Sequence, residues 1–167
     1  MFGRFIAMIV GLAGAVGASQ GPGYTLQYMQ NLNGRIDELR PIVEQFDRDI
    51  AAYNYTRDQA MAECTTAEGL LDALCNGYET TIRRYEELTA HYAVLTSASD
   101  YNRPIVLART YKRDIAESVM EEFEPAVPVT GHGFAYAAGG FLLLWGGLSF
   151  IFGLLEMLFG GRRREFA

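Results

Sequence analysis

Basic residues, histidine and cysteine are all scarce in this chain of 167 residues. It contains 14 Lys and Arg against 20 Asp and Glu, which gives a formal net charge of −6. Nucleic-acid binding needs a positively charged face, so the composition predicts no nucleic-acid partner. The two cysteines, Cys64 and Cys75, have no nearby histidine or further cysteine in the sequence to complete the four ligands of a structural zinc site.

The sequence motifs of catalysis are absent as well. The chain contains no phosphate-binding loop, nucleophile elbow, zinc-ligand spacing or dinucleotide fingerprint. We therefore expect that the protein is not an enzyme, and that it has no catalytic residues, no metal site and no cofactor.

Charge is missing from the beginning of the chain, where residues 5–18 are uncharged and follow Arg4. About 20 apolar residues span a bilayer as a helix, so we predict a first transmembrane helix over residues 1–21. The sequence Gly21-Pro22-Gly23 is expected to end it, because proline and glycine break helices. A cleaved secretory signal is the alternative, but an uncleaved anchor is our expectation.

A second apolar stretch lies near the other end, where residues 134–159 contain a single charge, Glu156. We predict a second transmembrane helix over residues 133–160, followed by a basic cytoplasmic tail over residues 161–167 that contains three consecutive arginines. An acid inside a span is a functional candidate by default. Glu156 lies near the predicted cytoplasmic end, however, where it could instead reach headgroups or pair with Arg162 or Arg163.

Basic residues near the spans predict the orientation. Arg4 and the arginines at 162–164 flank the outer ends of the two spans, whereas no Lys or Arg occurs over residues 5–34 or 114–161. Under the positive-inside rule both termini are cytoplasmic. The exported segment between the spans carries ten Lys and Arg against eighteen Asp and Glu.

Small residues recur on one face of each predicted span. Such faces let helix backbones approach closely in lipid. Either the two spans pack on each other within one chain, or one face is used between subunits. The residues concerned are Ala7, Gly11, Gly14 and Ala18 in the first span, and Gly139, Gly146, Gly153 and Gly160 in the second.

The exported segment, residues 24–124, has the heptad spacing of long helices packed side by side. It predicts an antiparallel coiled-coil hairpin that turns at residues 65–69, with Phe46 facing Tyr92, Ile50 facing Leu88, and Tyr53 facing Tyr85. The predicted seam consists of Ile36, Leu39, Val43, Phe46, Ile50, Tyr53, Leu71, Leu74, Tyr78, Tyr85, Leu88 and Tyr92.

A third helix is predicted over residues 103–123, with Asn102 as its N-cap and Pro104 in its first turn. Pro125 and Pro128 are expected to end it. Its inward face is predicted to contain Ile105, Ala108, Tyr111, Ile115 and Val119.

Cys64 and Cys75 lie at nearly equal distances in sequence from Gly69, near which the chain is predicted to turn. In an oxidising compartment such a pair is expected to form a disulfide. If the chain turned at Asn76-Gly77 instead, both thiols would lie on one helix and be too far apart to bridge. His91 is expected at the edge of the seam or in solvent, and His132 at the membrane surface.

Several short segments resemble the domain-of-unknown-function 2937 family of small proteobacterial membrane proteins, which have a span at each end. These are SQGP at 19–22, QYMQNL at 27–32, GRIDEL at 34–39 and TRDQA at 56–60. The resemblance is best over residues 1–62. It implies a bacterial inner-membrane protein with residues about 22–132 in the periplasm. The family carries no activity that could be transferred, and the cysteine pair is not one of its features.

Together these features predict an all-α membrane protein whose two transmembrane helices flank a periplasmic hairpin and a third helix. The leading functional hypothesis is a structural protein that self-associates through its glycine faces and its hairpin. An accessory subunit of a larger respiratory or photosynthetic complex is the alternative, and a small channel built around Glu156 is a third. The expected partners are the lipid bilayer and either further copies of the chain or other membrane-protein subunits.

Overall fold

A computed structural model describes residues 2–125, 127 and 129–159. The described residues form helices and no strands, which confirms the all-α class. The helices are α1 (Phe2–Ala51), α2 (Arg57–Cys64), α3 (Leu70–Ser97), α4 (Arg103–Thr110), α5 (Arg113–Glu121) and α6 (Gly131–Phe159). Pro128, Gly160 and the basic tail at 161–167 lie outside the described residues.

The chain divides into two compact units. Unit 1 lies within residues 1–26 and 122–167, and unit 2 is Gln27–Glu121. The candidate membrane spans are α6 and an apolar window within α1, since both are long and apolar enough to cross a bilayer.

In unit 1 the beginning of α1 packs antiparallel against α6. Gly3 lies beside Phe152, Gly11 beside Trp145, and Gly14 beside Gly140, so the residue number rises along α1 as it falls along α6. A Cβ atom added at Gly14 would lie 2.6 Å from Leu144 Cδ1 and 2.8 Å from the Gly140 oxygen. The two backbones therefore touch where both helices carry glycine.

The predicted helix break at Gly21-Pro22-Gly23 is wrong, because α1 continues through it. Proline deletes one backbone hydrogen bond, but hydroxyl groups on both sides add others. Ser19 Oγ donates to the Val16 oxygen and Thr25 Oγ1 to the Gly21 oxygen, both at 2.7 Å.

In unit 2 the later half of α1 lies antiparallel to α3. Tyr28 meets His91 near one end of the contact, and Phe46 meets Tyr78 near the other, with ring centroids 4.9 Å apart. The core residues are Tyr28, Leu32, Ile36, Val43, Phe46, Ile82, Leu88, Leu95, Leu107, Ile115 and Val119.

The register of this hairpin differs from the predicted one. Phe46 was expected opposite Tyr92 but lies against Tyr78. The predicted first arm ran unbroken to Cys64, whereas α1 ends at Ala51 and α2 begins at Arg57. Because of this interruption the first arm is shorter than predicted, and the residues of α1 pair with different residues of α3 than expected.

Local chemistry explains the interruption at residues 52–56. Asn54 adopts a left-handed conformation with φ of 61°, which asparagine tolerates better than most residues. Thr56 then caps α2 through a capping box, in which its hydroxyl accepts from Gln59 N and its own amide donates to Gln59 Oε1. The Arg57 guanidinium fastens α2 to its neighbours through Asp47 and Glu86.

The predicted third helix is also divided. It forms α4 and α5, with extended backbone at Tyr111 between them. Ile115 and Val119 are buried as predicted, but Ile105, Ala108 and Tyr111 are exposed, and Leu107 takes the buried position on α4. Because of this division, the buried positions of α4 and α5 do not follow one continuous heptad pattern.

Gly140→Ala is expected to destabilise the α1–α6 contact by about 1–3 kcal/mol, because the added methyl group would overlap Ala18 Cβ and the Gly14 oxygen. Gly147→Ala is the matched control on the same helix, since nothing lies within 4 Å of a Cβ added there. Unfolding of the detergent-solubilised chain by titration with a denaturing detergent measures the difference. Equal midpoints for the two variants would contradict the contact.

Candidate functional site

A buried polar junction lies where α1, α3 and the segment between α4 and α5 meet. Tyr28 Oη lies 3.0 Å from His91 Nε2 and accepts a hydrogen bond of 2.9 Å from the Lys112 amide. Tyr28 is completely buried and His91 is 7% exposed. The phenol still has its own proton to donate, so a neutral His91 with an unprotonated Nε2 completes the chain of hydrogen bonds.

The surroundings of His91 favour this neutral form. Burial lowers the pKa of His91, and the positive charge of Lys112 lowers it further, while Glu87 opposes both effects. The Lys112 ammonium pairs with the Glu87 carboxylate, and its hydrogen bond lowers the pKa of Glu87. His91 is therefore not at the seam edge as predicted, because the loop before α5 covers it.

Ion pairs hold α5 beside this junction. The Asp114 carboxylate contacts Arg35 on α1 at 3.4 Å and also pairs with Arg84 on α3. Arg35 Nη2 donates a second hydrogen bond, of 2.9 Å, to Ser118 Oγ. These groups are partly exposed, so each pair adds modest stability, but together they fix the side of the hairpin on which α5 packs.

The opposite end of the hairpin leaves large apolar side chains uncovered. We call this set the tip surface, and its members are Tyr53, Leu70, Leu71, Leu74 and Tyr78, with exposed fractions from 77% to 37%. Four of the five were predicted to lie in the seam. Tyr53 follows the end of α1 at Ala51, and Tyr78 is only partly covered by Phe46, whose ring centroid lies 4.9 Å away.

The remaining seam residues lie where the two helices do pack. Ile36, Val43, Phe46 and Leu88 are buried. Leu39, Ile50, Tyr85 and Tyr92 are partly buried, and Ile50 and Tyr85 pack against the Val43, Phe46 and Ile82 cluster.

A disulfide closes the tip. Cys64 at the end of α2 is bonded to Cys75 on α3, with their Cα atoms 5.6 Å apart. The turn between them lies at residues 65–69, as predicted, and ends at Gly69 with φ of 63°, a conformation that glycine adopts without strain.

The segment that contains four of the five tip residues is acidic. Residues 58–82 contain Asp58, Glu63, Glu68, Asp72 and Glu79 and no Lys or Arg. All five acids are exposed. Within the part of the chain that the structure describes, the ion pairs involve other acids. Exposed apolar side chains and exposed negative charge therefore occur together in this segment.

The small-residue faces of the two long helices differ in use. Gly11, Gly14 and Ala18 on α1 lie against α6, and Ala7 is buried. On α6, however, it is Gly140 that contacts α1, whereas Gly139, Gly146 and Gly153 have nothing within 4 Å of an added Cβ. The contact thus uses the predicted face of α1 but not the predicted face of α6.

Glu156 is exposed on α6. Its predicted partners Arg162 and Arg163 lie outside the described residues. Among the residues that the structure describes, no three His, Cys, Asp or Glu side chains are arranged to hold a metal ion.

A family model described as a protein of unknown function (DUF2937) matches residues 2–161. The chain belongs to this family. The match covers both units and confirms the resemblance seen in the short segments of the sequence. No curated protein and no solved structure gives a significant match to this DUF2937 protein.

Two signals in the sequence of this DUF2937 protein could have improved the prediction. The spacing Thr56-x-x-Gln59 is a capping-box pattern that marks a helix start, and Asn54 just before it favours a turn. No local pattern marks the division at Lys112. That amide finds its acceptor, Tyr28 Oη, 84 residues away in the sequence.

The stability of unit 2 is expected to fall as the pH drops below about 6.5, the pKa of an unperturbed histidine. Because the pKa of His91 is lower in the folded chain, the unfolded chain binds the proton first, and protonation favours unfolding. His91→Gln should remove this part of the pH dependence, whereas His132→Gln, which leaves the junction intact, should keep it.

Thermal unfolding of the three proteins in detergent at about pH 8 and about pH 5.5 measures this effect on either side of that pKa. Identical pH dependence in the wild-type chain and His91→Gln would contradict the prediction that protonation of His91 destabilises unit 2.

Loss of the disulfide in the Cys64→Ser/Cys75→Ser double variant is expected to lower the free energy of unfolding of unit 2 by about 3 kcal/mol. The value is that for closing a loop of about a dozen residues in the unfolded chain. Urea titration followed by far-UV circular dichroism measures it, with reductant added to the wild-type chain as the matched comparison. An unfolding midpoint that neither change moves would contradict a stabilising disulfide.

Proposed function

We propose that the protein is a non-enzymatic structural protein of the bacterial inner membrane, which self-associates in the bilayer and acts as a scaffold. Its anchors are the apolar part of α1 and all of α6, which are long enough to cross a membrane. Unit 2 is the part that this scaffold displays outside the bilayer, and it carries most of the charge of the chain.

The proposal is carried by the glycine face that the chain leaves unused. The contact with α1 occupies Gly140, whereas Gly139, Gly146 and Gly153 repeat every seven residues with open space beside them. Helix association in lipid depends on close packing at small residues. A second copy of the chain can approach α6 on this face without displacing α1.

Two further observations support the topology, with both termini cytoplasmic and residues about 22–132 periplasmic. Antiparallel packing of α1 on α6 brings Gly3 and Phe152 to the same end of unit 1, as expected if both chain ends lie on one side of a membrane. Disulfides persist in oxidising compartments such as the periplasm, and Cys64–Cys75 lies in unit 2.

Gly146→Leu is expected to weaken self-association by about tenfold or more, because a leucine side chain would hold a second helix away from this face. Gly17→Leu is the matched control, since Gly17 on α1 also has nothing within 4 Å of an added Cβ but lies on the other helix. Energy transfer between donor-labelled and acceptor-labelled copies in lipid vesicles, measured against protein density, reports the association.

A chain that stays monomeric at every density would overturn the scaffold proposal. Equal loss of energy transfer in Gly146→Leu and Gly17→Leu would contradict the assignment of the contact to the open glycine face of α6.

A further inference from the structure

We propose that the tip surface is a docking site for a basic, amphipathic polypeptide segment, one that carries apolar side chains flanked by Lys or Arg. This partner is a different chain from the protein itself. The inference goes beyond self-association in the bilayer, since it concerns unit 2 and a surface that the membrane helices do not share.

The first argument is the exposure of the tip surface. Tyr53 and Leu70 are 77% and 76% exposed, and Leu71 and Leu74 are more than half exposed. These side chains belong to unit 2, outside the candidate spans, so lipid does not account for their exposure. Leu70, Leu74 and Tyr78 follow one another at a spacing of four residues along α3, and exposed apolar patches on a protein surface mark contacts with other proteins.

The second argument concerns the shape of the exposed face. Leu71, Leu74 and Tyr78 continue on α3 the same heptad that buries Leu88 and Leu95 further along. The face is therefore a helix-packing surface whose partner helix ends early, at Ala51. A further apolar segment laid against it would extend the packing that α1 begins.

The third argument is the negative charge of residues 58–82, which favours a basic partner. Five exposed carboxylates and no base lie within residues 58–82. A second copy would bring five more carboxylates to the same place, and an anionic lipid surface would be repelled in the same way. Lys or Arg beside the apolar side chains of a partner meets these carboxylates favourably, which raises the association rate and excludes acidic competitors.

The test uses the full chain in nanodiscs of zwitterionic lipid, with empty nanodiscs as the reference. The probes are two fluorescent helical peptides with the same leucine pattern, one with lysine and the other with glutamate at every polar position. Fluorescence anisotropy is expected to show binding of the lysine peptide, weakened as salt rises because the carboxylates are exposed, and no binding of the glutamate peptide.

Variants locate the binding on the tip. Leu70→Ser/Leu74→Ser is expected to weaken binding of the lysine peptide by about tenfold or more, as removal of central apolar contacts does in other interfaces. Val94→Ser is the matched control, because Val94 is a 47% exposed apolar residue on the same helix but outside the tip surface. Glu68→Gln/Asp72→Asn should weaken binding and reduce its dependence on salt.

Circular dichroism and the intact disulfide establish that each variant is folded. Equal binding of the lysine peptide to Leu70→Ser/Leu74→Ser and to Val94→Ser would overturn the proposal, and so would equal binding of the two peptides to the wild-type chain. Loss of self-association in Leu70→Ser/Leu74→Ser would overturn the proposal, because it would show that a second copy of this chain occupies the tip surface. Tip-dependent binding to a monomeric chain would support this proposal while overturning the scaffold proposal, so the two can fail separately.

Discussion

The backbone contact between Gly14 on α1 and Gly140 on α6 decides which surfaces of unit 1 remain for other chains. The helices meet so closely there that a single methyl group on Gly140 would collide with Ala18 and with the α1 backbone. Close approach of this kind replaces the hydrophobic driving force that helices lack in lipid. Because it uses Gly140, the line of glycines at 139, 146 and 153 stays open, and the scaffold proposal rests on that line.

Unit 2 is organised by polar contacts at one end and is left incomplete at the other. Tyr28 Oη, held between His91 and the Lys112 amide, fixes how α4 and α5 cover the hairpin. At the tip the first arm stops early, and a disulfide joins α2 to α3 beside uncovered leucines. A buried junction of this kind gives a definite structure, whereas exposed apolar side chains in an acidic segment form a surface suited to a partner. The helices of unit 2 are thus held in a definite arrangement at the junction around Tyr28, whereas the tip surface at the other end of the hairpin stays exposed.

The sequence alone predicted the helical class, the two apolar helices, the turn at residues 65–69 and the cysteine pair, because each depends on local composition or spacing. It failed where a distant contact or a local cap outweighed the heptad pattern. The turn at Asn54 and the capping box at Thr56 interrupted the first arm, and in the displaced register Phe46 met Tyr78 and not Tyr92. The division before α5 and the burial of His91 depend on Tyr28, which no local pattern links to them.

Native mass spectrometry of the protein, extracted gently from its own membrane, tests the scaffold account most directly. The account predicts complexes that contain two or more copies of this chain, since the open glycine face of α6 is proposed to bind a second copy. Additional chains bound to such complexes agree with it, because the tip surface is free to hold a different partner. A single copy of the chain, alone or bound at fixed stoichiometry to other proteins only, would contradict it.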